Sequence, residues 1–138
     1  MGSNIDQLDY DCFKQRYIQP FKKLDFCYAL GRGFIVWRLG TGANVELLHI
    51  RAFEPRRGHG RKLFYRMLEQ LGNRPPYYSV FGFTRVSNER AAEFYKALGF
   101  NLQSVTGLYA DGEAVMFWRK YQDLLDFKHR WEASRAME

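Results

Sequence analysis

Hydrophobic and polar positions along the chain switch repeatedly between a period near two and a period near 3.6, and the switches mark out the elements. Residues 4–18 are polar with a few apolar positions and read as a helix bounded by Pro20. Two short apolar runs, 26–30 and 34–39, flank Gly31-Arg32-Gly33 in the pattern of a hairpin. A turn over 40–44 leads into a strand at 45–53, with Glu46, Leu48, Ile50 and Ala52 nominally on one face. Pro55-Arg56-Arg57-Gly58-His59-Gly60 is a glycine-rich turn. Beyond it, Leu63, Phe64, Met67, Leu68 and Leu71 recur at helical spacing, predict a buried stripe, and stop at Gly72-Asn73. Pro75-Pro76 forces an extended approach to a strand over 77–86, where Tyr77, Tyr78, Phe81 and Phe83 read as sheet core. Ser87 or Asn88 can cap a helix whose apolar face is Ala91, Phe94, Tyr95 and Leu98 and which Gly99 ends. Strands follow at 100–105 and 114–119 around Tyr109-Ala110-Asp111-Gly112. Tyr121, Leu124, Leu125, Lys128 and Trp131 predict a last helix over about 121–136. The order describes an α/β chain: a mixed sheet with helices on its faces, read over 1–138 as a single domain.

Composition narrows the classes. With 138 residues, 46% hydrophobic and 17% aromatic, the chain can bury a core without disulfides and does not read as disordered. Its opening residues carry Asp6, Asp9 and Asp11 and no apolar run, so they do not read as a secretory signal. No stretch approaches the roughly 20 apolar residues of a membrane helix. The expectation is a cytoplasmic protein without a membrane partner, with Cys12 and Cys27 as reduced thiols. His49, His59 and His129 are scattered, and no metal site is expected.

A net charge of +6 calls for an anionic partner without choosing one. Its distribution says more. Between residues 51 and 66 stand six basic side chains, Arg51, Arg56, Arg57, Arg61, Lys62 and Arg66, against Glu54 alone. Gly58 and Gly60 free the backbone there for a tight turn and close approach, and the helix that follows directs its unpaired N–H groups and positive dipole end into the same space. A pyrophosphate fits that arrangement. So does an ordinary loop with solvated arginines, and the turn has neither the Gly-Lys-Ser/Thr ending of a triphosphate loop nor three dinucleotide-type glycines.

Two segments change this balance together. Arg57-Gly58-His59-Gly60-Arg61-Lys62, between a strand and a helix, resembles the Arg/Gln-x-x-Gly-x-Gly/Ala signature of the GNAT N-acetyltransferase superfamily, with Lys62 where that family has a small residue. Some thirty residues on, the run from Ser87-Asn88 through Phe94-Tyr95 to Leu98-Gly99-Phe100 resembles the family's second signature. The likeness extends over about 26–120, with an abbreviated N-terminal part. It implies a mostly antiparallel sheet flanked by helices, with two splayed central parallel strands, and acetyl-CoA as co-substrate. The pantetheine arm is expected on main-chain groups of Ile50 and Ala52 with help from Asn88. The pyrophosphate is expected on the turn formed by Arg57, Gly58, His59, Gly60, Arg61 and Lys62.

Transfer from a thioester requires a neutral amine, and an alkyl amine with a pKa of about 10.4 must first lose a proton. The resemblance places Glu46 where many relatives carry a catalytic glutamate, with Glu54 and His49 as alternative bases. It places Tyr95 at the general-acid position beside the departing sulfur, although its spacing with Ala91 and Leu98 is also that of a core residue. A backbone N–H of the central strand, near a β-bulge, would hold the oxyanion. The segment from Leu108-Tyr109 to Glu113-Ala114 is similar to the substrate hairpin of protein N-terminal acetyltransferases, with Leu108 in place of the first of two tyrosines and no second acid after Glu113. Tyr109 is thereby a candidate for binding the acceptor, which stays open between a peptide or protein α-amine, a small-molecule amine and a lysine side chain. Two rival readings stand beside this one: a coenzyme-binding or interaction module without catalysis, and a basic nucleic-acid-binding domain, against which the absence of a long basic stripe counts. Monomer and homodimer are both open.

Overall fold

The computed structural model describes residues 14–15, 24–29, 32–54, 57–72, 78–110 and 112–136. Most of the helix expected over 4–18, together with Cys12, Tyr77 and Asp111, lies outside those residues. The chain packs as two compact units.

The first unit holds the described residues up to Leu39 and those of Leu47–Gly72. Strands β1 (Asp25–Ala29) and β2 (Gly33–Leu39) form the expected antiparallel hairpin, in register from Asp25↔Trp37 to Ala29↔Gly33. Strand β3 (Val45–Ala52) contributes its last six residues here. Gly33 has φ +149°, and a Cβ on it would fall within bonding distance of the Arg51 carbonyl oxygen, so only glycine allows this close approach of backbones. The Phe53 N–H donates to the Arg32 carbonyl (2.9 Å), and the Arg32 N–H donates to that of Ala29 (2.9 Å). These two bonds fix the hairpin turn beside the end of β3. Strand β2 is buried on both faces: Phe34 and Val36 pack with Phe26, Tyr28 and Leu48, and alternation sends Ile35 and Trp37 the other way. Helix α1 (His59–Leu71) packs on β1 and β2 and buries the predicted stripe, Leu63, Phe64, Met67, Leu68 and Leu71.

The second unit joins Gly40–Glu46 to the described residues after Asn73. Val45 and Glu46, at the start of β3, pair in parallel with Val80 and Phe81 of β4 (Ser79–Arg85). Strand β4 pairs antiparallel with β6 (Gly112–Lys120), and β6 pairs antiparallel with β5 (Asn101–Tyr109). The strand order is β1-β2-β3-β4-β6-β5. The sheet is therefore mixed and mostly antiparallel, as expected. Helix α2 (Glu89–Ala97) and helix α3 (Tyr121–Ala136) complete the chain. Gly99 turns with φ +97°, and its missing Cβ would lie 3.2 Å from the Phe127 ring. The Arg119 guanidinium donates to the Gly99 carbonyl (2.8 Å) and to Asp123 (3.3 Å), tying that turn to β6 and α3.

Two details differ from the sequence pattern. Strands β5 and β6 run on to Tyr109 and back from Gly112, because a register irregularity between Val105 and Tyr109 absorbs Gly107 (φ +81°) without ending the ladder. Tyr78 is not sheet core. Its backbone is tied to Ala43 and Tyr121, but it precedes β4 and its residue surface is 64% exposed. Lys128 sits on the buried stripe of α3 with Tyr121 and Leu124, and its ammonium is held by Glu132 one turn on (2.9 Å). Among the described residues no helix is long and apolar enough to cross a membrane.

Candidate active site

In the first unit, β3 delivers the chain to a turn that no side chain caps. Gly58 occupies the N-cap position of α1 in the left-handed region (φ +75°), with no side-chain capping bond. The first helical bond runs from the Lys62 N–H to the Gly58 carbonyl (3.2 Å), which leaves the amides of the first turn outside the helical ladder. Gly60 is buried where the helix begins.

The basic side chains then take different directions. Arg57 pairs with Glu54 across 3.2 Å, both well exposed. Arg61 donates to the Tyr65 hydroxyl (2.8 Å) and lies over its ring. Lys62 turns with His59 toward a recess that Ala29, Arg32, Leu63 and Arg66 also line. Ile50 and Ala52, the residues expected to offer main-chain groups, are half-buried on β3. Desolvation by the atoms around it lowers the pKa of His49 from the ordinary histidine value, although the residue lies at the surface.

In the second unit, Glu46 is half-buried at the start of β3, opposite Phe81 of β4. Asn88 caps α2, its side-chain oxygen accepting the Ala91 N–H (3.1 Å), so the pattern-level expectation of a cap is met by Asn88 and not Ser87. Tyr95 is the one fully buried residue of α2. Its ring stacks on Phe117 at 3.7 Å between centroids and 13° between planes, with Phe94 and Phe100 edge-on. This enclosure pushes its phenol well above the usual tyrosine range. Tyr109 ends β5 under the Arg85 guanidinium, 4.3 Å from its ring centroid.

The first unit thus gathers Ile50, Ala52 and the turn residues Arg57, Gly58, His59, Gly60, Arg61 and Lys62, whereas Glu46, Asn88, Tyr95 and Tyr109 belong to the second. Sequence reasoning missed Arg32 and Arg66 as neighbours of Lys62. Arg66 was within reach of the helical period, four residues after Lys62. Arg32 comes from a hairpin turn that no local pattern connects to α1. Arg85 over Tyr109 was equally hidden, since β4 and β5 meet only through β6.

An open mixed sheet with this strand order, entered by a glycine-opened helix after the central strand, is the fold of N-acetyltransferases. Three solved structures align with it. The ribosomal-protein-S18-alanine N-acetyltransferase from Escherichia coli is 20% identical over 73% of this chain and 71% of its own, with a TM-score of 0.59. Ard1 from Thermoplasma volcanium is 24% identical over 83% and 78%, with a TM-score of 0.61. Arabidopsis thaliana NAA60, solved in complex with acetyl-CoA, is 16% identical over 86% and 92%, with a TM-score of 0.62. No curated protein matches the sequence. The family model described as the Acetyltransferase (GNAT) family matches residues 15–100, and the chain belongs to this family of acetyltransferases.

Proposed function

We propose that the protein transfers the acetyl group of acetyl-CoA to a primary amine by direct attack within a ternary complex. The observation that carries this reading is the start of α1, where Gly58 makes no side-chain cap and first-turn amides lie outside the helical ladder beside clustered cations. Diphosphate is a ligand such amides hold well. The main chain at Ile50 and Ala52 binds the pantetheine arm, joined by the Asn88 side-chain N–H₂, which remains a donor while its oxygen serves the cap.

Glu46, directly or through water, takes the proton of the bound ammonium. The amine nitrogen then attacks the thioester carbon, and a strand N–H holds the oxyanion. The C–S bond breaks to give a thiolate, and the attacking nitrogen sheds its second proton to water as the amide forms. The burial of Tyr95 refines its role. A thiol has a pKa of about 8.5, and Tyr95 is pushed above the ordinary range of tyrosine. Complete proton transfer from phenol to thiolate therefore runs uphill. The tyrosine acts instead as a hydrogen-bond donor to the forming thiolate, an interaction worth about 1.5–3 kcal/mol when one partner is charged.

For the acceptor, a peptide or protein α-amine is supported by the β5–β6 hairpin with Tyr109, and by the activity of the ribosomal-protein-S18-alanine N-acetyltransferase that shares this fold. A small-molecule amine is the alternative, supported by Leu108, which stands exposed where a second tyrosine would complete a peptide clamp. Mass-spectrometric screening of N-terminal peptides, lysine peptides and small amines with acetyl-CoA decides among them. An acetylated product is the expected result. Coenzyme binding with no acceptor modified would support the silent-binder reading, and no binding at all would remove the proposal.

A further inference from the structure

The recess beside α1 is built unlike an ordinary basic surface. Its walls come from two elements, the β1–β2 hairpin turn with Ala29 and Arg32, and one face of α1 with His59, Lys62, Leu63 and Arg66. Among the described residues no acidic side chain lines it. Its volume of about 60 Å³ is well above the ~10–15 Å³ threshold for holding a single water. His59 Nδ1 is buried and has no hydrogen-bond partner, a costly condition for a polar atom unless something meets it. Arg32 is held in place by the two backbone bonds of its turn. Lys62 and Arg66 stand one helical turn apart on the same face.

Three cations converging on one concavity from two elements repel one another unless an anion joins them. We infer that this recess, formed by Arg32, His59, Lys62 and Arg66, binds a phosphate monoester dianion separate from the diphosphate at the turn. Two sources share that chemistry, the 3′-phosphate of the coenzyme and a free phosphate. The first rests on the proposed use of acetyl-CoA, and the second does not. Lys62, which stands where the family pattern has a small residue, lines the recess together with Arg66 and serves either source.

The test compares calorimetric titrations of acetyl-CoA and 3′-dephospho-acetyl-CoA into the wild-type protein, Arg32→Gln and Arg66→Gln. Melting curves with and without inorganic phosphate accompany them. Charge-assisted hydrogen bonds of the size expected give about a ten-fold or greater preference for the full coenzyme, lost in Arg66→Gln, while the affinity for the dephospho compound stays within about two-fold. That result places the 3′-phosphate in the recess. Equal affinities, with a phosphate-dependent rise in Tm that Arg66→Gln abolishes, support the inference with a separate phosphate as occupant. The same rise without binding of either thioester refutes the coenzyme reading and leaves the recess standing. Equal affinities with no phosphate effect overturn the inference. Arg66→Lys, which keeps the charge, should retain the preference and separates loss of the site from loss of folding.

Discussion

Burial governs what Tyr95 is able to do. Enclosed by Phe94, Phe100 and Phe117, the phenol keeps its proton well beyond the pH at which an exposed tyrosine loses it. Tyr95→Phe removes one charge-assisted bond, so kcat is expected to fall about 10- to 100-fold. The Kd for acetyl-CoA should stay within about two-fold, since the ring and its stack on Phe117 remain. Unchanged kcat across the pH range would sink the role. The same burial makes a stability prediction. The folded pKa lies above the unfolded value of about 10, so above that pH the unfolded chain loses this proton first, and stability declines as pH rises. Melting curves from neutral to strongly alkaline pH should show the decline, and Tyr95→Phe should flatten it. The burial was legible in the residue's spacing, which by itself favours a core tyrosine; the ring stack that encloses the phenol was not. The Phe117 stack depends on β6, which local periodicity cannot place against α2.

At the level of elements, the cap that Asn88 supplies and the coenzyme contact proposed for it are separable by substitution. Asn88→Ala loses the bond to the Ala91 N–H and should cost about 1 kcal/mol of stability, read as a lower Tm. Asn88→Asp keeps the cap but gives up the N–H₂ donor. Its Tm should match the wild type while KM for acetyl-CoA rises, and an unchanged KM would show that the residue only caps. Helix α3 offers a different contrast. Glu132→Ala leaves the buried Lys128 without its 2.9 Å partner and should destabilise the protein, whereas Lys128→Met should be neutral or stabilising by thermal melting. The elements themselves were largely readable. The stripe of α1, the β1–β2 hairpin and the Asn88 cap are local patterns, and each lies where the sequence puts it. The long β5–β6 ladder was not, because Gly107 looks like a strand end and is a tolerated irregularity inside one. Tyr78 misled for a related reason: aromatic residues signal a strand, but not which of them the strand includes.

For the molecule as a whole, charge decides more than shape. The chain carries +6, most of it near the start of α1, while acetyl-CoA brings several negative charges. Exposed pairs are screened within about 8 Å at physiological salt, so the Kd for acetyl-CoA should weaken steadily with added NaCl. Arg66→Gln should make that dependence shallower, and a salt-independent Kd would count against electrostatic docking at the turn. Family membership was readable because the two signatures stand in sequence order within single elements. The acceptor was not, because its contacts draw on residues from distant strands, Arg85 over Tyr109 being one instance.

The open end of α1 also sets a rhythm for the protein's fluctuations. With Gly58 supplying no side-chain cap, the amides of His59 and Gly60 lie outside the helical ladder, and without a ligand their protons should trade with deuterium within seconds to minutes. A bound diphosphate would act as a borrowed lid on those protons. Occupancy of the enzyme could then be followed as a slowing clock at two consecutive residues, while the interior of the same helix keeps its own pace.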